Sequence, residues 1–330
     1  MRTSNLLKCL LTALTLTVNM SCNSDVFIDE FLTETPAPIS LTEEASEATI
    51  SFEADNWDVW SIGSIGFETY PFICDEEGNG LTLPLENGGK DYQIFCRSDY
   101  IDFRMEKCDG RSLKLHLYEN LYDSPWEWTI YVGNEYEQVP ISVTLNPTGK
   151  YQIDSIVYDW SKFDFYDYML EEVESLTVLN KEGTSPARWT CYPYKFSKRK
   201  VNFYAPNNGS NIYSELDQEQ IARCLGDCSV TIPDTKDGKP VMGHTEAVFG
   251  SFEQEVDVTL DKNLEVEVSI DAGKNIHITV FNNMDCYHVP FTLYASHPRT
   301  GKRLEIPGVL YSQCPVNYLI FKEDVTDEQP

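Results

Sequence analysis

The chain has 330 residues, with 53 Asp or Glu against 25 Lys or Arg, for a formal charge of −28. Hydrophobic residues at 42% and aromatics at 12% exclude a disordered chain and supply material for the cores of about two domains. The acid excess excludes duplex nucleic acid as a partner, which needs a basic surface, and electrostatic docking on anionic lipid.

Arg2 and Lys8 form a short basic start, and residues 9–18 (CLLTALTLTV) an apolar stretch of secretory-signal length. Asn19-Met20-Ser21-Cys22 follows. A small residue directly before a Cys at this place resembles a bacterial lipobox, although Asn19 stands where that pattern has Leu, Val or Ile. The resemblance implies a signal peptide over 1–21 and acylation of Cys22, with the membrane as partner through N-terminal acyl chains that anchor in effect permanently. The alternative is a signal peptide cut near the same place, with Cys22 an ordinary cysteine. Asn23-Ser24-Asp25 and Asp29-Glu30 resemble part of the signal that sends Bacteroidota lipoproteins to the outer face of the outer membrane. Removing residues 1–21 removes Arg2 and Lys8 and no acid, so the mature chain is more acidic still.

Residues 22–47 carry Thr35-Pro36-Ala37-Pro38 and the acids Glu43, Glu44 and Glu47, and read as a flexible tether. From 48 on, short β-branched and aromatic runs alternate with turn clusters. Strands are expected over 48–52, 57–62, 80–85, 91–96, 101–105, 112–118, 126–132 and 138–145, separated by Glu77-Gly78-Asn79-Gly80, Asn87-Gly88-Gly89, Asp109-Gly110 and Gly133-Asn134. Short strands at this spacing argue for an antiparallel sandwich. Their order and the closing hairpin of 126–132 into 139–145 resemble a BACON-type domain, the immunoglobulin-like sandwich of Bacteroidota secreted proteins. The resemblance covers 48–148, and this segment departs from the family by ending Leu145-Asn146-Pro147.

Asn146-Pro147-Thr148-Gly149 marks a boundary, and Asp154-Ser155-Ile156 matches the Asp-Ser/Thr-apolar pattern of Bacteroidota O-glycosylation, which makes Ser155 a candidate acceptor. Alternation over 255–260, 264–270, 275–281, 289–294 and 317–321 predicts a second β-sandwich over 149–330. One short helix is expected over 217–225, with Asp217 as N-cap and Gln220 at the capping-box position. The fold class is therefore all-β, in two sandwich domains of which the first is immunoglobulin-like.

Beyond Cys22 stand Cys74, Cys96, Cys108, Cys191, Cys224, Cys228, Cys286 and Cys314. An even number in an exported chain points to disulfides. Cys96 and Cys108, flanking a strand pair, are the first choice, whereas Cys224 and Cys228 meet only with local distortion. Cys286, His288 and His297 are the only nearby metal-type trio, and structural cysteines with surface histidines explain them better, so neither metal nor cofactor is expected. There is no Gly-x-Ser-x-Gly, His-Glu-x-x-His, Cys-x-x-Cys or phosphate-binding glycine loop. His277, between Ile276 and Ile278, should face solvent. The acidic groups Asp164/Asp167 and Glu171/Glu172/Glu174 read as a solvated face, and Asp234-Thr235-Lys236-Asp237-Gly238 as a turn rather than a calcium loop.

One contrast remains in this acidic chain. Lys195, Lys198, Arg199 and Lys200 cluster with Tyr192, Tyr194, Phe196, Phe203 and Tyr204. Cations beside aromatic faces suit an acidic or sulphated sugar, or else lysines guard a strand edge against pairing. Trp57, Trp126 and Trp128 are expected in cores, and Trp60 and Trp189 on a sugar-stacking platform. The expected function is a non-enzymatic, lipid-anchored surface protein that binds glycan or adheres, with Trp60, Trp189, Tyr192, Tyr194, Lys198 and Arg199 as contact residues. The alternative is a spacer or assembly subunit of an outer-membrane surface complex, and the third reading a glycan hydrolase. No nucleic acid partner is expected.

Overall fold

A computed structural model describes residues 30–64, 72–85, 90–206, 216–236, 239–250 and 253–325. The leader, Cys22, the turn at 87–89 and the end of the 234–238 loop lie outside the described residues. Strand makes up 60% and helix 4%, so the chain is all-β. Among the described residues no helix is long and apolar enough to cross a membrane. The chain divides into two compact units. The first runs to Pro147 apart from Leu121–Asp123, and the second takes those three residues and everything from Thr148 on.

The first unit holds β1 (Ile39–Leu41), β2 (Glu47–Ser51), β3 (Asp58–Ser64), β4 (Phe72–Cys74), β5 (Tyr92–Arg97), β6 (Ile101–Cys108), β7 (Ser112–Asn120), β8 (Trp126–Gly133) and β9 (Gln138–Leu145). They form one sheet in the order β1-β9-β8-β3 and another in the order β2-β7-β6-β5-β4. Strict alternation builds the inner faces: Trp126, Trp128, Ile130 and Val132 on β8 are buried, as are Leu113, Leu115 and Leu117 on β7. The two faces meet where Phe103 stands edge-on to Trp128 at 5.2 Å. Trp57, Trp126 and Trp128 are core residues, as the pattern predicts.

Two expectations are corrected here. In the presumed tether, Phe31 is buried with its ring on Phe52, and β1 pairs in parallel with β9, burying Leu41. The long-range pairing of β1 with β9 outweighed the local proline content. The strand expected over 80–85 is not formed; only Gly80 bridges, to Cys74. Pro84, which has no N–H to give a ladder, lies within that run.

The second unit holds β10 (Gln152–Tyr158), β11 (Asp164–Asn180), β12 (Ala187–Cys191), β13 (Arg199–Tyr204), the helix α1 (Gln218–Cys224), β14 (Ser229–Lys236), β15 (Lys239–Val248), β16 (Gln254–Val256), β17 (Val266–Ile270), β18 (Lys274–Ser296) and β19 (Arg303–Asp324). The main sheet runs β10-β18-β19-β13-β16, with β11 also on β18; β12-β17 and β14-β15 are separate pairs. At 17, 23 and 22 residues, β11, β18 and β19 greatly exceed the usual strand of about 5–6. β18 joins two runs expected as separate strands, passing through Asn282-Asn283-Met284-Asp285-Cys286 with β11 on one side and β19 on the other. The β12-β17 pair packs Cys191, Val268 and Ile270 against Ile276, Ile278 and Val280 of β18. The helix forms as predicted, the Asp217 carboxylate accepting from the Gln220 N–H at 2.9 Å. His277 lies on the outer, half-buried side between buried Ile276 and Ile278, hydrogen-bonded to the hydroxyls of Ser175 and Thr177 at 3.0 Å each.

Candidate functional site

The pleat of β13 divides the basic cluster that looked continuous in sequence. Arg199, Val201 and Phe203 point inward, whereas Lys200 and Asn202 face the other way. Arg199 is only 1% exposed. Its Nε donates to Ser312 Oγ at 2.8 Å, Nη1 to Asp234 Oδ1 at 3.3 Å, and Nη2 to the Pro233 carbonyl and the Tyr287 hydroxyl. The expectation that Arg199 meets a ligand by ion pairing is corrected: its guanidinium is spent inside the fold. Tyr194 is also withdrawn, buried with its ring against Tyr318 at 5.6 Å.

Acids hold two of the remaining cations. Lys198 reaches Asp257 at 2.6 Å and Lys200 reaches Glu171 at 2.7 Å. The ammonium groups of Lys198 and Lys262 lower the Asp257 pKa to about 2. Because that value is depressed, the pair is complete above the ordinary carboxylate range and is lost only as pH falls towards about 2. Lys195 lies over the rings of Tyr192 and Phe196. Tyr192 keeps an exposed face while its hydroxyl donates to Glu265 at 2.8 Å, and that carboxylate raises the phenol's pKa.

The two tryptophans expected on a platform are not brought together. Trp60 belongs to the first unit, half-buried, with Nε1 donating to the Gly133 carbonyl at 2.8 Å. Trp189 packs on the core between β12-β17 and β18. The exposed tryptophan is Trp160, in the short 3-10 turn Trp160–Lys162. It borders an apolar cleft of about 710 Å³ with Tyr158, Pro290, Tyr294 and Pro307. Its aromatic and proline neighbours are scattered in sequence, so only the fold assembles them. Ser155 is exposed, at an irregularity in the β10–β18 register.

The expected Cys96–Cys108 bridge is corrected as well. Cys96 stands opposite Phe103 and Cys108 opposite Ser112. Cys108 lies about five residues, roughly 17 Å, further along β6, beyond disulfide reach. Neither is in a disulfide, and Cys224 and Cys228 are not bridged either. Burial pushes the Cys96 thiol well above its ordinary pKa and that of Cys314 to about 11. Among the described residues, no group of three or more His, Cys, Asp or Glu is placed to hold a metal ion. His297 turns instead to the Gly149 carbonyl at 2.8 Å.

Two further clefts in the second unit combine aromatic rings with polar groups. The larger, about 500 Å³, has Phe165 and Tyr168 on its wall, with Asp234, Asp285, Asn283 and Asn317 around it. The two rings lie nearly parallel, 6.1 Å apart, and Tyr168 is 68% exposed. Thr235 donates to Asp285 Oδ2 at 2.9 Å. The smaller, about 210 Å³, is lined by Phe196, Lys198, Lys200, Glu171, Glu255 and Asn282. In the sequence the run 192–204, the acids of β11 and the segment 234–236 carried chemical signals for these clefts, whereas the Asn-rich centre of β18 carried none.

No family model and no curated protein matches the chain. Among solved structures it is similar to an aerolysin-like protein of Bombina maxima, at 11% identity and a TM-score of 0.27, over 52% of this chain and 97% of that one. It is also similar to the lamprey immune protein, at 9% identity and a TM-score of 0.37, over 85% and 99%. A third is the Bacillus thuringiensis toxin parasporin-2, which recognizes cancer cells, at 11% identity and a TM-score of 0.24, over 52% and 72%. Likenesses of this size assign neither fold family nor function.

Proposed function

We propose that the chain is a non-enzymatic, lipid-anchored protein of the outer membrane, facing the cell exterior, whose C-terminal unit binds glycan. In this reading Cys22 carries the acyl chains, residues 48–148 form a BACON-like immunoglobulin-type sandwich, and residues 149–330 form a second β-sandwich that presents the binding surface. The observation that supports glycan binding is the cleft walled by Phe165 and Tyr168. The exposed Tyr168 ring beside Phe165 offers an apolar plane for the carbon face of a sugar. Carboxylates and amides of Asp285, Asn283 and Asn317 offer planar hydrogen-bonding groups for its hydroxyls. A volume of about 500 Å³ falls within the range of small-molecule sites.

Because Lys198, Arg199 and Lys200 all have acid partners, the ligand in this reading is neutral rather than sulphated. The test is a panel of immobilised neutral and sulphated glycans probed with the full chain in detergent micelles. Neutral glycans are expected to bind with little dependence on salt, and Tyr168→Ala to weaken them about tenfold. No binding across the panel overturns the reading.

A second reading, assembly into a surface complex, is favoured by the open edges of the long ribbon. Among the described residues, β11 pairs only with β18, and β19 beyond Cys314 has a strand on one side only. Leu170, Leu179, Leu319 and Phe321 are exposed along these strands. Exposed edges of this kind accept further strands unless charges guard them. Assembly predicts a sedimentation coefficient that rises with concentration from submicromolar to tens of micromolar and falls back in Leu179→Lys. A constant monomer value sinks it.

A further inference from the structure

We infer that the small cleft at β13 and β18 is a subsite for one uncharged sugar ring or similar polyol, a hydroxyl of which donates to the Asn282 carboxamide while its carbon face lies on Phe196. The inference rests on the glycan-binding reading and names the ligand class for a site apart from the Tyr168 cleft.

Three observations converge. First, Asn282 interrupts an apolar row. Ile278, Val280 and Met284 occupy neighbouring inward positions on β18 and are buried, and Asn282 among them is 1% exposed. An amide in such a row is costly unless both its ends are hydrogen-bonded. Second, only one end is. The Asn282 amide meets Ser197 Oγ, and among the described residues its Oδ1 has no partner. Turning the amide over exchanges the two atoms and still leaves one unmatched. Third, Asn282 lines a cleft of about 210 Å³ next to Phe196, whose side chain is 75% exposed. The cleft admits a single ring rather than a chain of several.

The charges around the cleft select against anions. Its two ammonium groups, Lys198 and Lys200, already sit 2.6 and 2.7 Å from Asp257 and Glu171. Glu172 and Glu255 add further carboxylates to the lining. An anionic ligand has to displace an acid and approach others. A neutral polyol supplies O–H donors, which is what a lining rich in acceptors lacks.

The probes are methyl glucoside, methyl galactoside and methyl mannoside, with glucosamine and glucose 6-sulphate as charged comparisons. Binding to the full chain in detergent is read by saturation-transfer NMR and calorimetry. At least one uncharged glycoside is expected to bind, about tenfold more weakly to Phe196→Ala. The variant Asn282→Leu removes the amide and leaves the Ser197 hydroxyl donating to the Pro193 carbonyl at 3.4 Å. It is expected to abolish this binding while melting no lower than the parent, since no buried donor is then left alone. A lower melting temperature for Asn282→Leu marks the amide as structural and overturns the inference. So does binding that survives both variants, or binding of the charged sugars alone. If uncharged sugars bind and only Tyr168→Ala removes them, this subsite falls and the glycan reading stands. If none binds, both fall.

Discussion

Replacing Arg199 with alanine is expected to destabilise the second unit by about 3–5 kcal/mol, the cost of breaking a buried ion pair from one side. The side chain joins three separate elements. Ser312 lies on β19, Tyr287 on β18, and Pro233 and Asp234 on β14. The Tyr287 hydroxyl, its pKa raised to about 12 by burial, donates to the same Pro233 carbonyl at 2.7 Å. Among the described residues the β14-β15 pair has no strand neighbour in the main sheet, and a two-stranded hairpin alone is marginal in water. Arg199 is thus one of the few polar anchors holding that hairpin to the unit.

Hydrogen exchange should show the earliest loss of protection over Ser229–Val248. Arg199→Lys keeps the charge but lacks the planar fork of donors, and should recover only a minor part of the loss. Arg199→Met fills much of the volume and should be milder than alanine. Urea denaturation followed by near-ultraviolet circular dichroism measures all three. An alanine variant within about 0.5 kcal/mol of the parent, the range of an ordinary surface change, would mean that the network carries no net stability.

Lys107→Ala should cost the first unit about 3 kcal/mol or more. Lys107 occupies an inward position of β6, next in line after Ile101, Phe103 and Met105, and its side chain is fully buried. Its ammonium group donates to the Trp57 carbonyl and to Asp58 Oδ1, the latter at 2.9 Å, and lies 4.6 Å from the Trp57 ring centre. Alanine removes the cation from a carboxylate and a carbonyl and leaves a cavity beneath Trp57. Methionine, which fills the space, should lose less, and the double variant Lys107→Met/Asp58→Asn less again, because no uncompensated charge remains. Tryptophan fluorescence during urea unfolding reports on the same site. Equal loss in the alanine and methionine variants would exclude the cavity contribution.

Legibility in the sequence followed the range of the interaction. The closing hairpin of the first unit, the capped helix and the core tryptophans could be read because alternation and capping are set by adjacent residues. Phe31 and β1 could not, since Leu41 becomes a core residue only when β9 lies beside it. The centre of β18 falls between two expected strands, 275–281 and 289–294, because Asn282, Asn283 and Asp285 are poor strand formers. Pairing on both sides overrides that preference. Of the expected contact residues, Tyr192 and Lys198 lie at the surface, Tyr194 and Arg199 are buried, and Trp60 and Trp189 belong to different units.

By itself the sequence determined the all-β class, the acidic character and the local strand and helix patterns, all of which depend on composition and near neighbours. Which cations face solvent, which acids neutralise them and which aromatic rings meet polar groups were decided only by tertiary structure. The physical reason is the pleat and the register. Alternate residues of β13 go to opposite faces, and each then meets partners 29 to 113 positions away in the chain.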